Sequence, residues 1–471
     1  MKNKKTSRRK FLGSAAAALT GCTIVPRHIL GGAGYKSPSE TLNVAGVGVG
    51  GMGASNIVKI AGMELNEETQ QLSKGGEGEN IVALCDVDTQ KAADIFNAFP
   101  KAPKYTDYRK MLEKQKDIDA VIIATPDHTH AVIAMMAIKM GKHVYCQKPL
   151  TRTVYEARML TETAREHKVA TQMGNQGNSG EGLRLACEWI WDGAIGPVRE
   201  VHAWTDRPTW PQGIPRPKET PPAPSSLDWD LWLGPAPYRP YHPVYHPSRW
   251  RGWWDFGCGA LGDMACHILD PVFSALKLKY PTSVEASCST YVALGKMWGK
   301  VKNTETYPRA SIVHYSFPAR GGMPPVKLHW YDGGLMPERP EELESGRQLP
   351  DNGVLFVGDK GKMTVVNFGG SPRIIPEEKM REYKRPPETL ERVEGGEDGH
   401  ERNWIRACKG GKPAGSNFDY SGPMTESVVM GNLAIRYPNQ KLEWDGEKME
   451  VTNFPEANQF VNPPYRQGWS L

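Results

Sequence analysis

The sequence predicts an α/β protein: an N-terminal Rossmann unit with a doubly wound parallel sheet, then a C-terminal α+β domain with a large, mostly antiparallel sheet. Four short apolar runs, LNVAGVGV (42–49), IVALCDV (81–87), AVIIATP (120–126) and HVYCQKP (143–149), alternate with helix-like segments at 88–99, 106–115 and 129–141. Short β-branched runs are what buried parallel strands look like, and strand–helix alternation winds them into one sheet. The first run ends in a glycine-rich turn where a helix should begin. Beyond Pro149 the texture changes, and alternating runs at 284–294, 310–317, 325–331 and 362–367 read as antiparallel strands.

The elements divide the chain into three parts: 1–38, a signal and linker; 39–170, the dinucleotide domain; and 171–471, a substrate domain. Residues 7–22 read SRRKFLGSAAAALTGC. A basic start followed by a short apolar segment describes an export signal. Arg8-Arg9 resembles a twin-arginine signal, and Leu19-Thr20-Gly21-Cys22 resembles a lipobox that would lipidate Cys22. The expected location is periplasmic. In the dinucleotide domain, Gly141 closes the segment 129–141 as a C′ glycine, and KGGEGEN (74–80) reads as a surface loop. In the substrate domain, helices are predicted at 151–168, 180–192 and 421–437, and a short strand near 441–444.

The formal charge of +5 is concentrated at the start: residues 1–38 hold eight positive side chains and no acid, leaving −3 on the remainder. A mildly acidic body argues against nucleic acid as a partner. The eight cysteines never form C-x-x-C, so buried, unpaired thiols and no metal site are expected.

Gly48, Val49, Gly50, Gly51, Met52 and Gly53 form G-x-G-x-x-G. Its glycines serve a tight turn, close approach to a pyrophosphate and helix–strand packing, with the pyrophosphate at the helix N-terminus. Asp86, at the end of the second run, can accept hydrogen bonds from an adenosine ribose and would repel a 2′-phosphate, so NAD is favoured over NADP. Lys148 closes the fourth run, at the sheet edge where open α/β sheets bind ligands. Beside an oxidised nicotinamide its charged form is disfavoured, which makes it a usable acid/base. Asp263 and His267 stand four apart, so on a helix the carboxylate can fix the tautomer of the imidazole. Nine of the fourteen tryptophans lie between 189 and 254, several in loop-like segments. About half should be core, and Arg207, Trp210, Arg249, Trp253 and Asp255 are the candidates for contact with a hydroxylated substrate.

These features together resemble the Gfo/Idh/MocA oxidoreductases: GVGGMG (48–53), CDVD (85–88), TPDHTH (125–130), QKP (147–149) and LGDMACH (261–267). The resemblance implies catalysis by Lys148, Asp263 and His267, with His267 also facing the substrate. It places Thr125, Pro126 and His130 along the nicotinamide side, and a sugar or polyol derivative as substrate. Gln147 replaces the family's usual Glu, which removes a negative charge near the ribose. A dehydrogenase acting on a sugar or glycoside, at C3 for instance, is the leading expectation. An NAD-dependent glycoside hydrolase working by transient oxidation, and a non-catalytic sugar-binding protein, are the alternatives. The resemblance also implies a homodimer or homotetramer. An exported chain meets little free NAD, so the cofactor is expected to be tightly held and recycled in place.

Overall fold

The computed structural model describes residues 40–65, 72–291, 301 and 303–471; the signal and lipobox assignments fall outside them. The dinucleotide domain is built on six parallel strands: β1 (Asn43–Val47), β2 (Asn80–Cys85), β3 (Lys104–Tyr105), β4 (Ala120–Ile123), β5 (His143–Gln147) and β6 (Thr171–Gly174). Their order is 3-2-1-4-5-6, the doubly wound arrangement, with β1 flanked by β2 and β4. The chain reverses direction across the sheet between β1 and β4, and the crevice beyond their carboxyl ends is where such sheets bind ligands. Because β6 pairs with β5 in register Val144 to Thr171, the domain extends past the predicted boundary at 170. A lone four-residue strand, TQMG, carries too little periodicity to be seen in the sequence.

Helix α1 (Met52–Ile60) follows β1, and α2 (Asp127–Lys139) follows β4 and stops before Gly141, whose φ is +72°. Helix α3 (Val154–His167) begins in a capping box: the Thr153 hydroxyl accepts the Glu156 N–H, and the Glu156 carboxylate accepts the Thr153 N–H. This fixes the exit of the chain from β5, and with it Lys148. The loop read at 74–80 is preceded by a two-stranded ribbon, Met63–Leu65 with Leu72–Lys74.

The second sheet has nine strands: β7 (Val198–Trp204), β8 (Ser283–Cys288), β9 (Ser311–Phe317), β10 (Val326–Tyr331), β11 (Gly353–Gly358), β12 (Gly361–Val366), β13 (Arg373–Ile375), β14 (Leu442–Asp445) and β15 (Glu450–Val451). Their spatial order is 13-12-11-7-10-9-8-14-15, and every pairing is antiparallel except β7 with β10. The strands alternate inward apolar with outward polar residues, as Val313, Tyr315 and Phe317 do in β9. Helix α4 (Gly259–Ile268) and the long α5 (Phe418–Arg436) fill the space between the sheets. Arg158 of α3 meets Glu426 of α5 through two 2.9 Å hydrogen bonds, tying the domains together. All seven cysteines among the described residues are free thiols, five of them buried.

Candidate active site

A groove of about 320 Å³ runs along the carboxyl edge of β1, β2, β4 and β5. At one end the turn after β1 makes its floor. Gly48 has φ +78°, and a side chain at Gly53 would bring Cβ to 2.1 Å from the Gly48 carbonyl oxygen, so only glycine lets α1 start this close to the strand. Asp86 follows β2 and is half-buried; its carboxylate accepts the N–H groups of Gly50 (3.0 Å) and Asp88 (2.9 Å). Burial outweighs these hydrogen bonds and raises its pKa to about 6. The floor, free of side chains at Gly48, Gly50 and Gly51, and the acceptor at Asp86 fit the pyrophosphate and ribose of a dinucleotide. Lys91, absent from the sequence-based set, also lines this end.

At the other end Lys148, emerging from β5, donates from Nζ to the Asp263 backbone carbonyl (2.7 Å) and to Asp263 Oδ1 (3.0 Å). Arg251 Nε donates to the same Oδ1 at 2.9 Å. Burial opposes the charge on Asp263, but the Lys148 ammonium and Arg251 guanidinium outweigh it and hold the carboxyl well below the usual range. Asp127, at the start of α2, lines the groove and accepts the Cys258 N–H (3.1 Å). Its burial raises its carboxyl to about 7.

Several expected residues stand elsewhere. Asp263 does not orient His267, because its side chain is committed to the two cations. The imidazole of His267 is buried edge-on against Phe368, its Nδ1 has no hydrogen-bond partner, and burial together with the Lys148 charge pushes its pKa well below the ordinary value. His130 does not line the groove: its ring nitrogens lie 2.9 Å from the Pro149 carbonyl and 2.8 Å from that of Thr125, pinning the turn after Lys148 to α2. Val49 is buried outside the groove lining, whereas Met52, Thr125, Pro126 and Gln147 line it. Gln147 donates to Asn56 Oδ1 (2.9 Å), and Asn56 donates to Glu401 (2.7 Å), so the amide continues a buried chain ending in a carboxylate.

None of the five substrate candidates lines the groove. Trp253 is fully buried against Tyr245, Asp255 is paired with Arg239, Arg207 with Asp206, Trp210 Nε1 donates to Gln212, and Arg249 points to solvent. Their place is taken by neighbours: Trp250, Arg251, His246 and, from the C-terminal tail, Trp469. Residues 249–252 form a 3₁₀ turn, so Arg249 and Arg251 leave it in different directions. A basic residue beside tryptophan was visible in the sequence, but its direction was not. Six of the nine clustered tryptophans are buried.

Residues 42–175 match the family described as "Oxidoreductase family, NAD-binding Rossmann fold", and residues 209–306 match "Oxidoreductase family, C-terminal alpha/beta domain". The chain is 26% identical over 235 residues to levoglucosan dehydrogenase of Pseudarthrobacter phenanthrenivorans, covering 49% of this chain and 50% of the relative. It is 28% identical over 170 residues to inositol 2-dehydrogenase of Serratia proteamaculans, covering 36% and 47%. The matches thus span half or less of these relatives. Among solved structures, the WlbA dehydrogenase of Bordetella pertussis in complex with NADH and UDP-GlcNAcA aligns with a TM-score of 0.57 at 16% identity, over 86% of this chain and 99% of that one. That likeness extends the shared fold across both domains. The chain belongs to the Gfo/Idh/MocA oxidoreductase family, and its N-terminal domain is that family's NAD-binding Rossmann domain.

Proposed function

We propose that the protein is an NAD-dependent oxidoreductase that oxidises a carbinol of a sugar or glycoside, at C3 for instance, or reduces the corresponding keto-sugar. The observation that carries this reading is the Lys148 ammonium, held at the end of a dinucleotide groove by the Asp263 carbonyl and carboxylate. The names of two relatives, levoglucosan dehydrogenase and inositol 2-dehydrogenase, support a sugar or polyol substrate.

Bound NAD supplies the two-electron acceptor. Two of the three donor positions on Lys148 Nζ are committed to Asp263, which leaves the third for a substrate hydroxyl. In oxidation the neutral amine takes the carbinol proton at Nζ; in reduction Nζ gives that proton to the carbonyl oxygen. Asp263 fixes where Nζ sits, and Arg251 keeps Asp263 charged whichever state Lys148 is in. Trp250 and Trp469 narrow the groove and limit water. The experiment is Lys148→Met assayed on a sugar panel: NAD stays bound and oxidation is lost. Near wild-type turnover would remove Lys148 from the chemistry, and aglycone release from aryl glycosides without accumulating keto-sugar would replace dehydrogenation by hydrolysis.

The proposal extends to an exported, periplasmic enzyme that leaves the cytoplasm folded around NAD and keeps it. Support comes from residues 7–22 and from the C-terminal tail over the groove, where Trp469 is stacked under Arg109 (4.7 Å) and Arg466 is hydrogen-bonded to the Gly234 carbonyl (3.0 Å). Full loss of NAD on dialysis would overturn retention; mass analysis of the mature N-terminus tests lipidation of Cys22. Self-association as a dimer or tetramer through the outward face of β7, β10 and β9, where His202, His329 and His314 stand side by side, is tested by light scattering.

A further inference from the structure

A second cavity, of about 160 Å³, lies against α5, and no residue lines both it and the groove. Arg152, Trp254, Asn432 and Arg436 are among its walls. Two guanidinium groups therefore face one small space, and among the described residues neither forms an ion pair. The neighbouring carboxylates act on Arg152 only through space, without a side-chain contact, because their own hydrogen bonds go elsewhere. Glu156 accepts the N–H groups of Arg152 (3.1 Å) and Thr153 (3.0 Å) and the Tyr465 hydroxyl (2.7 Å), and Asp255 is paired with Arg239. The Tyr307 hydroxyl is likewise committed, to the Gly257 carbonyl at 3.0 Å.

What remains open is specific. Arg152 Nη1 donates to the Trp254 carbonyl (3.2 Å), but its Nε is buried with no acceptor. Arg436 is stacked 3.9 Å over Trp254 and 4.1 Å over Phe460, which fixes the guanidinium plane, and its N–H groups have no acceptor among the described residues. Asn432 is 5% exposed; its Nδ2 donates to the Cys258 carbonyl (3.1 Å), and its Oδ1 is buried with no donor. Burial, reinforced by the like charge of Arg152, lowers the Arg436 pKa to about 10, whereas the charges of Glu156 and Asp255 outweigh burial at Arg152 and raise its pKa. Buried polar atoms without partners are rare in folded proteins and call for one. At roughly 30 Å³ per water the cavity holds about five, so its occupant is small.

We propose that this cavity binds a small hydroxycarboxylate, its carboxylate on Arg152 and Arg436 and its hydroxyl donating to Asn432 Oδ1. Fork-shaped guanidinium groups are suited to carboxylate, and only a ligand that also carries a donor satisfies Oδ1. The site is separate from the redox groove, so its failure would leave the proposed oxidoreductase activity standing.

Calorimetric titration of the full chain, NAD-loaded, tests it with malate as the probe and with acetate (carboxylate alone) and glycerol (hydroxyl alone) as comparisons. Saturable malate binding, at least about tenfold tighter than either comparison, is expected; a charge-assisted hydrogen bond is worth this much. Arg436→Met should weaken malate by about tenfold or more and leave NAD binding unchanged. Absence of saturable heat at millimolar malate, or equal affinity in Arg436→Met, overturns the proposal. If that variant does not fold, the wild-type comparison decides: acetate or glycerol binding as tightly as malate overturns it too.

Discussion

The two ends of the groove each hold a carboxylate, and the two are driven in opposite directions. Asp86, at the glycine-rich end, has only backbone N–H partners among its hydrogen bonds, and burial raises it to about 6. Asp263, at the lysine end, is held well below the usual range by Lys148 and Arg251. Burial alone does not decide the charge of a groove; the nearest cation does. The glycine end is therefore adjustable and awaits a donor from outside, while the lysine end is a finished ion cluster whose geometry is set before anything binds.

Breaking the finished cluster should have the largest effect. Lys148→Met removes the proton-transfer group and one of the two cations on Asp263, and turnover on any accepted sugar should fall by about 10²–10⁴-fold. NAD affinity, measured by fluorescence titration, should change little. A comparable loss of NAD binding would mean the two ends are not separable. Asp86→Ala should do the reverse: NAD affinity about ten- to a hundredfold weaker, because a charge-assisted acceptor for the ribose is gone. With the repelling carboxylate absent and Lys91 beside the site, NADP should gain relative to NAD. Unchanged preference in a cofactor-competition assay would remove Asp86 from discrimination.

The same contrast explains what could be read from residues alone. The parallel sheet, the glycine turn and Asp86 follow from local rules, since strand period, turn chemistry and strand-end position are all short-range. Lys148 and Asp263 were also visible as motif members, but their bond spans 115 positions in sequence, and no periodicity reports it. The i,i+4 spacing permits a contact between Asp263 and His267, but an ammonium and a guanidinium compete better for a carboxylate than a neutral ring. Strand β7 is not legible in the sequence because both its partners are distant, and it runs parallel to β10 within a mostly antiparallel sheet. Arg251 was missed by two positions, through the direction of a 3₁₀ turn.

A smaller effect follows from the raised carboxyl at the glycine end. In the NAD-free protein Asp86 has a pKa of about 6, whereas ribose hydroxyls donating to it favour the ionised form and lower that value in the complex. The complex then binds fewer protons than the free protein, so affinity rises with pH through this range. With about nine-tenths ionised at pH 7 and about one-tenth at pH 5, NAD should bind roughly tenfold more weakly at pH 5. Asp86→Asn should flatten the dependence, and a slope that survives the substitution would assign it to another group.

The smallest effect expected is a displacement of zero, and it bears on His267. Were this imidazole the proton acceptor, its titration would set a limb of the pH–rate profile near its ordinary value. Burial and the Lys148 charge instead keep it neutral across the working range, with Nδ1 unpartnered and Asp263 engaged elsewhere. Of the acids lining the groove, the one besides Asp86 whose value falls in that range is Asp127, at about 7, accepting the Cys258 N–H. At saturating NAD, which takes Asp86 out of the measurement, a limb near 7 should therefore remain in place in His267→Asn, whatever happens to its height. Asp127→Asn should abolish that limb. A limb that moves or disappears in His267→Asn and persists in Asp127→Asn would return the proton to the imidazole and make the lysine end less finished than its ion pairs imply.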